Sequence, residues 1–219
     1  MFLEKISRNI CLYLPFLILL NGSSLFAQNQ KTEILSEIAA QYRQMIPFQI
    51  TFSVQPVKNE TSNPVSGLFK MGKGNRFAVI FPDQEILYDG KWLWSHDRST
   101  QQVVVEDIRP ATSLQTIYDL LNGSFADFKI SRITRDKKNS DLQNILLSNQ
   151  SKNALFKTMT VQVNITTHTI HQVEYLDFQN NTWRIKFGMP QPLEAADSLQ
   201  LKLSPQTEVI DLRQGAGKK

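Results

Sequence analysis

The sequence predicts a mainly β chain with helices, an α+β fold in which an antiparallel meander curls toward a barrel. Three observations carry that expectation. Apolar residues recur at period two in short runs separated by brief polar turns, as in half-buried strands. Two other segments carry apolar residues at three- and four-residue spacing instead. Finally, residues 67–97 are rich in aromatics on more than one face. A sheet that is apolar on both faces must be covered twice or hold something apolar.

Residues 1–27 read as an export signal: Lys5 and Arg8 precede an apolar run at 10–20, and Ala27 ends a short exit before Gln28. The apolar run is shorter than the ~20 residues a membrane-spanning helix needs. Cys11 is the only cysteine and lies inside this segment. The exported chain is thus expected to have no disulfide, thiol nucleophile or thiolate metal site. Residues 28–213 are long enough to form one domain held by burial alone, and 214–219 are expected to be a disordered tail. The formal net charge is +4, and losing Glu4, Lys5 and Arg8 lowers it by one. Basic residues are scattered rather than clustered along the chain, and nucleic acid is not an expected partner.

The first expected helix is 31–45, with Ile34, Leu35, Ile38, Tyr42 and Met45 on one stripe and Pro47 ending it. A strand follows in which Phe48, Ile50, Phe52 and Val54 alternate with polar residues. After the polar loop 58–64, Phe69 and Met71 share one face, as do Phe77, Val79 and Phe81. Asp89-Gly90 is a strong hairpin signal, a two-residue turn whose central positions both need positive φ. It is expected to pair Leu87 with Trp92 and Glu85 with Trp94 on one face, and Ile86 with Leu93 and Tyr88 with Lys91 on the other. The second helix is placed at 112–121, with Leu114, Ile117, Tyr118 and Leu121 apolar and Gly123 stopping it. Further strands are expected at 128–135, 142–148, 155–165, 169–178 and 183–189, then a last pair at 199–203 and 209–212.

No catalytic constellation is visible, and neither a cofactor nor a metal is expected. His168 and His171 are spaced as H-x-x-H, but on a strand such positions point to opposite faces. His96 reads as a hydrogen-bonded loop residue beside Asp97. Asp83, Glu85, Asp89 and Asp97 fall at turns and strand ends, where Asp serves turn geometry. Gly72-Lys73-Gly74 lacks the helix a phosphate-cradling loop requires. The aromatics carry more information: they line either an ordinary core or a cavity closed by the two apolar helices.

Several segments, in order along nearly the whole exported chain, resemble the outer-membrane lipoprotein carrier family LolA. They are Gly67-x-Phe69, Arg76-Phe77-x-Val79, Pro82-Asp83 and Ile86-x-Tyr88-Asp89-Gly90-Lys91-x-Leu93-Trp94, then Leu120-Leu121-Asn122-Gly123, Asp127-Phe128-Lys129, Thr169-Ile170-His171-Gln172, Leu199-x-Leu201-x-Leu203-x-Pro205 and Val209-Ile210-Asp211. The resemblance implies an incomplete antiparallel β-barrel covered by an α-helical lid, acting without catalysis as a monomeric periplasmic shuttle. The implied partners are acylated lipoproteins, an inner-membrane lipoprotein-release complex and an outer-membrane acceptor. Phe77 stands at the position of a family phenylalanine concerned with productive interaction at the inner membrane. The cavity residues expected on this reading are Phe52, Phe69, Phe77, Val79, Phe81, Trp92 and Trp94, with Leu114, Ile117 and Leu121 on the lid. Two departures stand out. The family's basic latch residue is followed by Pro, whereas here Lys70, Lys73 and Arg76 are the candidates and no Pro is present. Gln206-Thr207 stands where the family has Gly after the terminal Pro. The same half-barrel also suits a lipid- or lipoprotein-sensing regulatory module, and a periplasmic lipid- or glycan-processing enzyme is a third reading.

Overall fold

The computed structural model describes residues 22–58, 63–107, 118–122, 128–149, 158–177, 179–194 and 199–213. Helix α1 (Gly22–Met45) begins earlier than its apolar stripe, inside the expected export segment, since neither Pro nor Gly interrupts 23–45. It stops ahead of Pro47, which has no N–H to continue the ladder. Leu35, Ile38 and Tyr42 of the expected stripe are buried, as is Ala39 beside them.

The strands are β1 (Phe48–Pro56), β2 (Val65–Met71), β3 (Phe77–Ile80), β4 (Gln84–Tyr88), β5 (Trp92–Asp97), β6 (Gln102–Asp107), β7 (Phe128–Arg135), β8 (Leu142–Asn149), β9 (Thr158–Asn164), β10 (Thr169–Leu176), β11 (Thr182–Phe187), β12 (Gln191–Pro192) and β13 (Glu208–Asp211). They form one open sheet in the order β13-β6-β5-β4-β3-β2-β1-β11-β10-β9-β8-β7, with β12 beside β1. Two sequential meanders, β1 to β6 and β7 to β11, are therefore joined where β1 pairs with β11, Phe52 lying opposite Phe187. The sheet does not close, as expected of an incomplete antiparallel barrel. Among the described strands only β13 runs parallel to its neighbour, β6.

One residue type per strand face explains the layering. Phe48, Ile50 and Phe52 of β1, Phe69 and Met71 of β2, Phe77 and Val79 of β3, and Ile86 of β4 are buried on the inner face. Ile145, Leu147, Met159, Val161, Val163, Val173 and Ile185 continue that face through β8 to β11, and with Leu35, Ile38, Tyr42, Tyr118, Leu120 and Leu121 they make one core. A smaller cluster lies on the outer face of the first meander, where Ala78 and Leu87 meet Leu199, with Trp94, Leu193 and Leu201 packed around them.

Three expectations need correction. The β4–β5 hairpin pairs Tyr88 with Leu93, Leu87 with Trp94 and Ile86 with Ser95, two residues out from the expected register. Gly90 alone in that turn takes a positive φ, 99°. The cause is the Asp89 carboxylate, whose Oδ1 accepts the N–H groups of Lys91 and Trp92, each at 2.8 Å, and so closes a wider loop. A shift of two keeps every side chain on its expected face. Residues 199–203 form no strand but cross the outer face as an extended cover, and β13 pairs instead with the unexpected β6. Residues 112–117, 123–127 and 155–157 lie outside the described residues, as do 1–21 and 214–219. No helix of the described residues is long and apolar enough to cross a membrane.

Candidate functional site

The inner face of the first meander is an aromatic floor with Phe77 at its centre. The Phe77 ring lies 5.9 Å from Phe69, 5.5 Å from Tyr88 and 5.0 Å from Tyr118, centre to centre. These offset and tilted contacts fall in the range aromatic pairs prefer. Phe69 and Phe77 come from adjacent strands whose hairpin pairs Met71 with Phe77 and Phe69 with Val79. Tyr118 and Leu121 come from the helical turn at 118–121, so the described end of the expected lid helix rests directly on Phe77. Phe81 follows β3 and meets Phe52 edge to face at 5.4 Å.

Gly67 explains how Phe52 fits. It pairs with Phe52 across β1 and β2, and a Cβ there would lie 2.5 Å from the Phe52 ring and 2.9 Å from the Ile80 carbonyl oxygen. Only a residue without a side chain lets the ring lie down on the strand. The Gly67-x-Phe69 motif is thus a packing requirement of the floor.

Helix α1 covers the second half of the same face. Tyr42 is fully buried, touches Phe48 at 5.6 Å, and its hydroxyl accepts the Ile170 N–H at 3.0 Å. Burial, opposed only by that backbone hydrogen bond, holds the Tyr42 phenol far above its ordinary value, so it stays neutral. At the rim, His168 Nε2 lies 3.3 Å from Glu37 Oε2. Sequence reading missed both ties, because Ile170 and His168 are strand and turn residues with no local mark of a distant helix.

The expected wall residues divide by face. Phe52, Phe69, Phe77 and Val79 are buried on the inner face, Phe81 is half-buried against Phe52, and Leu121 is buried above them. Leu114 and Ile117 lie outside the described residues. Trp92 and Trp94 are corrected: they share the outer face with Leu87, since residues of β5 alternate and Leu93 takes the inward side. Trp94 Nε1 donates to Asp89 Oδ2 at 2.8 Å, and Trp92 lies under Lys91 and Arg213, 4.6 and 5.1 Å from its ring centre. Burial raises the Asp89 pKa, but hydrogen bonds from Trp92, Trp94 and Lys91 and the charge of Arg76 outweigh it and hold the carboxyl below its usual range.

The three latch candidates lie on the outer face and in the connection between β2 and β3. Lys70 is on the outer side of β2, opposite Ala78 and Gln49. Lys73 is exposed in a turn. Arg76 Nη2 donates to the Leu199 carbonyl at 2.6 Å, which pins the outer cover. His96 is corrected too. It is a buried strand residue opposite Val103, and its Nε2 has no hydrogen-bond partner among the described residues. His171 is exposed at a bulge of β10 and His168 stands in the preceding turn at φ 51°, so the H-x-x-H pair does not converge.

An open sheet whose inner face is continuously apolar and covered by α1 and a helical turn defines the incomplete-barrel class of fold. The family model described as outer membrane lipoprotein carrier protein LolA matches residues 44–199, and the chain belongs to that family. An uncharacterized conserved protein from Thermus thermophilus shares the fold with TM-score 0.55 at 13% identity, over 82% of this chain and 98% of that one. A LolA superfamily protein from Nitrosomonas europaea aligns with TM-score 0.42 at 14% identity, over 78% and 97% of the two chains. MucB aligns with TM-score 0.45 at 14% identity, over 80% of this chain and 63% of that one. No curated protein matches the sequence significantly.

Proposed function

We propose that the chain is a periplasmic carrier that holds the acyl chains of lipoproteins on its inner face and moves them from the inner to the outer membrane. The observation that carries this is the aromatic floor around Phe77, closed by a helical turn that meets it through apolar and aromatic contacts. A lipoprotein acyl chain of about fifteen methylenes costs on the order of 12 kcal/mol to leave in water. A carrier must cover that surface and still let go. In the observed state Tyr118 and Leu121 cover Phe77, and α1 covers the second meander. Acyl chains entering here exchange one set of apolar contacts for another. Such an exchange is near balance, non-directional and reversible without an energy source at the carrier.

On this reading Phe52, Phe69, Phe77, Val79 and Phe81 form the floor, and Leu114, Ile117 and Leu121 form the lid with Tyr118. The partners are an inner-membrane release complex and an outer-membrane acceptor, and residues 1–27 serve as the export signal. The test is native mass spectrometry of the protein isolated from its own cell envelope. A bound acylated polypeptide is expected. Recovery with a free phospholipid, or with no apolar cargo, sinks the carrier reading.

A further inference from the structure

The cationic residues that are scattered in sequence are gathered in space. Arg132, Arg135, Lys137, Lys138, Arg184 and Lys186 line one groove of about 890 Å³ on the outer side of the second meander, against a single carboxylate, Asp136. The excess of five, or four once the Glu174 carboxylate paired with Arg184 is counted, matches the chain's formal net charge of +4. The expectation of dispersed charge is therefore corrected: strands β7 and β11 stand far apart in sequence, yet both feed this groove.

Little inside the groove neutralises it. Arg184 is held by Glu174 at 2.7 Å. Asp136 is turned to its own hairpin, its Oδ1 accepting the N–H groups of Lys138 and Asn139 and its Oδ2 accepting Gln162 Nε2 at 3.2 Å. Arg132, Arg135, Lys137 and Lys186 make no ion pair among the described residues, and all four are exposed. Between the cations runs a row of neutral polar side chains, Thr134 opposite Asn144, Asn144 opposite Gln162, and Gln162 opposite Gln172. Cations flanking amides and a hydroxyl match a ligand with phosphates and hydroxyls together. The lining has no aromatic side chain to stack a nucleobase and no apolar anchor of the kind that peptide recognition relies on.

We propose that this groove binds the phosphate-bearing headgroups of anionic membrane lipids and so docks the protein on a membrane surface. It lies on the face opposite the aromatic floor and does not depend on the cargo proposed for that floor. The experiment is flotation with vesicles of phosphatidylcholine alone or mixed with phosphatidylglycerol, at constant ionic strength. The native chain is expected to bind only the mixed vesicles. The combined variant Arg132→Gln, Arg135→Gln, Lys137→Gln, Lys186→Gln is expected to lose about a hundredfold or more, since each cation near an anionic surface is worth about fivefold. A control that removes the same charge elsewhere, Arg43→Gln, Lys58→Gln, Lys91→Gln, Lys202→Gln, is expected to lose less than about tenfold. The pair Lys137→Gln, Lys186→Gln provides an intermediate variant, and unchanged melting of each shows that the fold is kept. Equal losses in groove and control variants overturn the proposal. So does equal binding to neutral vesicles, or full release by millimolar inorganic phosphate, which makes free phosphate the ligand. Groove-dependent capture of an acidic peptide without vesicle binding also overturns it. Binding of an acylated peptide by the same variants is expected to be unchanged, which separates this outcome from that of the carrier reading.

Discussion

The two meanders share one sheet but are built to opposite plans. In β1 to β6 the inner face carries the aromatic cluster around Phe77, and on the outer face Leu193, Leu199 and Leu201 pack over Ala78, Leu87 and Trp94. In β7 to β11 the inner face is mainly aliphatic, with Phe128, Tyr175 and Phe187 at its edges, and lies under α1, while the outer face is polar and cationic. In the first meander β3 to β5 are therefore covered on both sides, and the helical turn at 118–121 rests on Phe77. The second is a one-sided sheet whose free face is available for charge recognition. The proposed inner-face binding and outer-face docking thus fall on different halves, each set by side-chain alternation along its strands.

The sharpest way to break this contrast is to empty the aromatic hub. Phe77→Ala removes a ring touching three others and is expected to cost about 3–5 kcal/mol of stability in urea unfolding, as large truncations of buried aromatics do. A loss below about 1 kcal/mol means that the floor is loosely packed and the hub is not one. Phe77→Glu places a carboxylate among the same rings and is expected to unfold the chain outright, making it unsuitable as a clean probe of transfer.

Next in size is the tie between α1 and the second meander. Tyr42→Phe leaves the buried Ile170 N–H without its acceptor and is expected to cost about 1–3 kcal/mol. The same residue sets an alkaline limit. Burial raises the pKa values of Tyr42, Tyr118 and Tyr175. Their contribution is complete below the ordinary tyrosine value near 10 and is lost as pH rises above it. Unfolding measured from pH 9 to 12 is expected to fall steeply in the native chain and less steeply in Tyr42→Phe; parallel curves contradict the assignment.

A smaller effect separates the turns. Asp89 and Asp177 use the same device, each accepting backbone N–H groups with one oxygen and a tryptophan Nε1 with the other, Trp94 at 2.8 Å and Trp183 at 2.9 Å. Asp89→Ala is expected to cost about 1–2 kcal/mol, since Trp94 is packed beneath the outer cover. Both carboxyls have lowered pKa values. Their stabilisation is present above the ordinary carboxylate range and is lost as pH falls below about 4. Asp89→Asn should therefore flatten the acid side of the stability curve. The smallest effect is at the rim: Glu37→Gln breaks an exposed contact with His168 and is expected to change stability by less than about 1 kcal/mol.

Strand positions and faces were legible because alternation is local. The residues that share a face of β1, β2 and β3 follow directly from the alternation of Phe48 to Phe52, Phe69 to Met71 and Phe77 to Val79, whereas which face is inward does not. What escaped was non-local or ambiguous in period. Val103, Val104 and Val105 run together and mask the alternation that makes β6 a strand. Leu199, Leu201 and Leu203 alternate as a strand would, yet Leu199 is used to cover Ala78 and Leu87. The turn register depended on a side-chain acceptor, Asp89, that backbone turn rules do not count. Which residues share a strand face was legible, but which face is the inner one was not: the two tryptophans were grouped with the phenylalanines, although their parity in β5 sets them outward. The charged groove was illegible because three strands, β8 to β10, separate its two ends.

The most direct measurement of the central claim is photo-crosslinking to an acylated lipoprotein from single positions on the two faces. A photoreactive phenylalanine derivative at Phe69 or Phe77 is expected to capture the acyl chains, and the same group at Trp94 is not. Capture from Trp94, or none from either floor position with cargo bound, would contradict an inner-face cargo site.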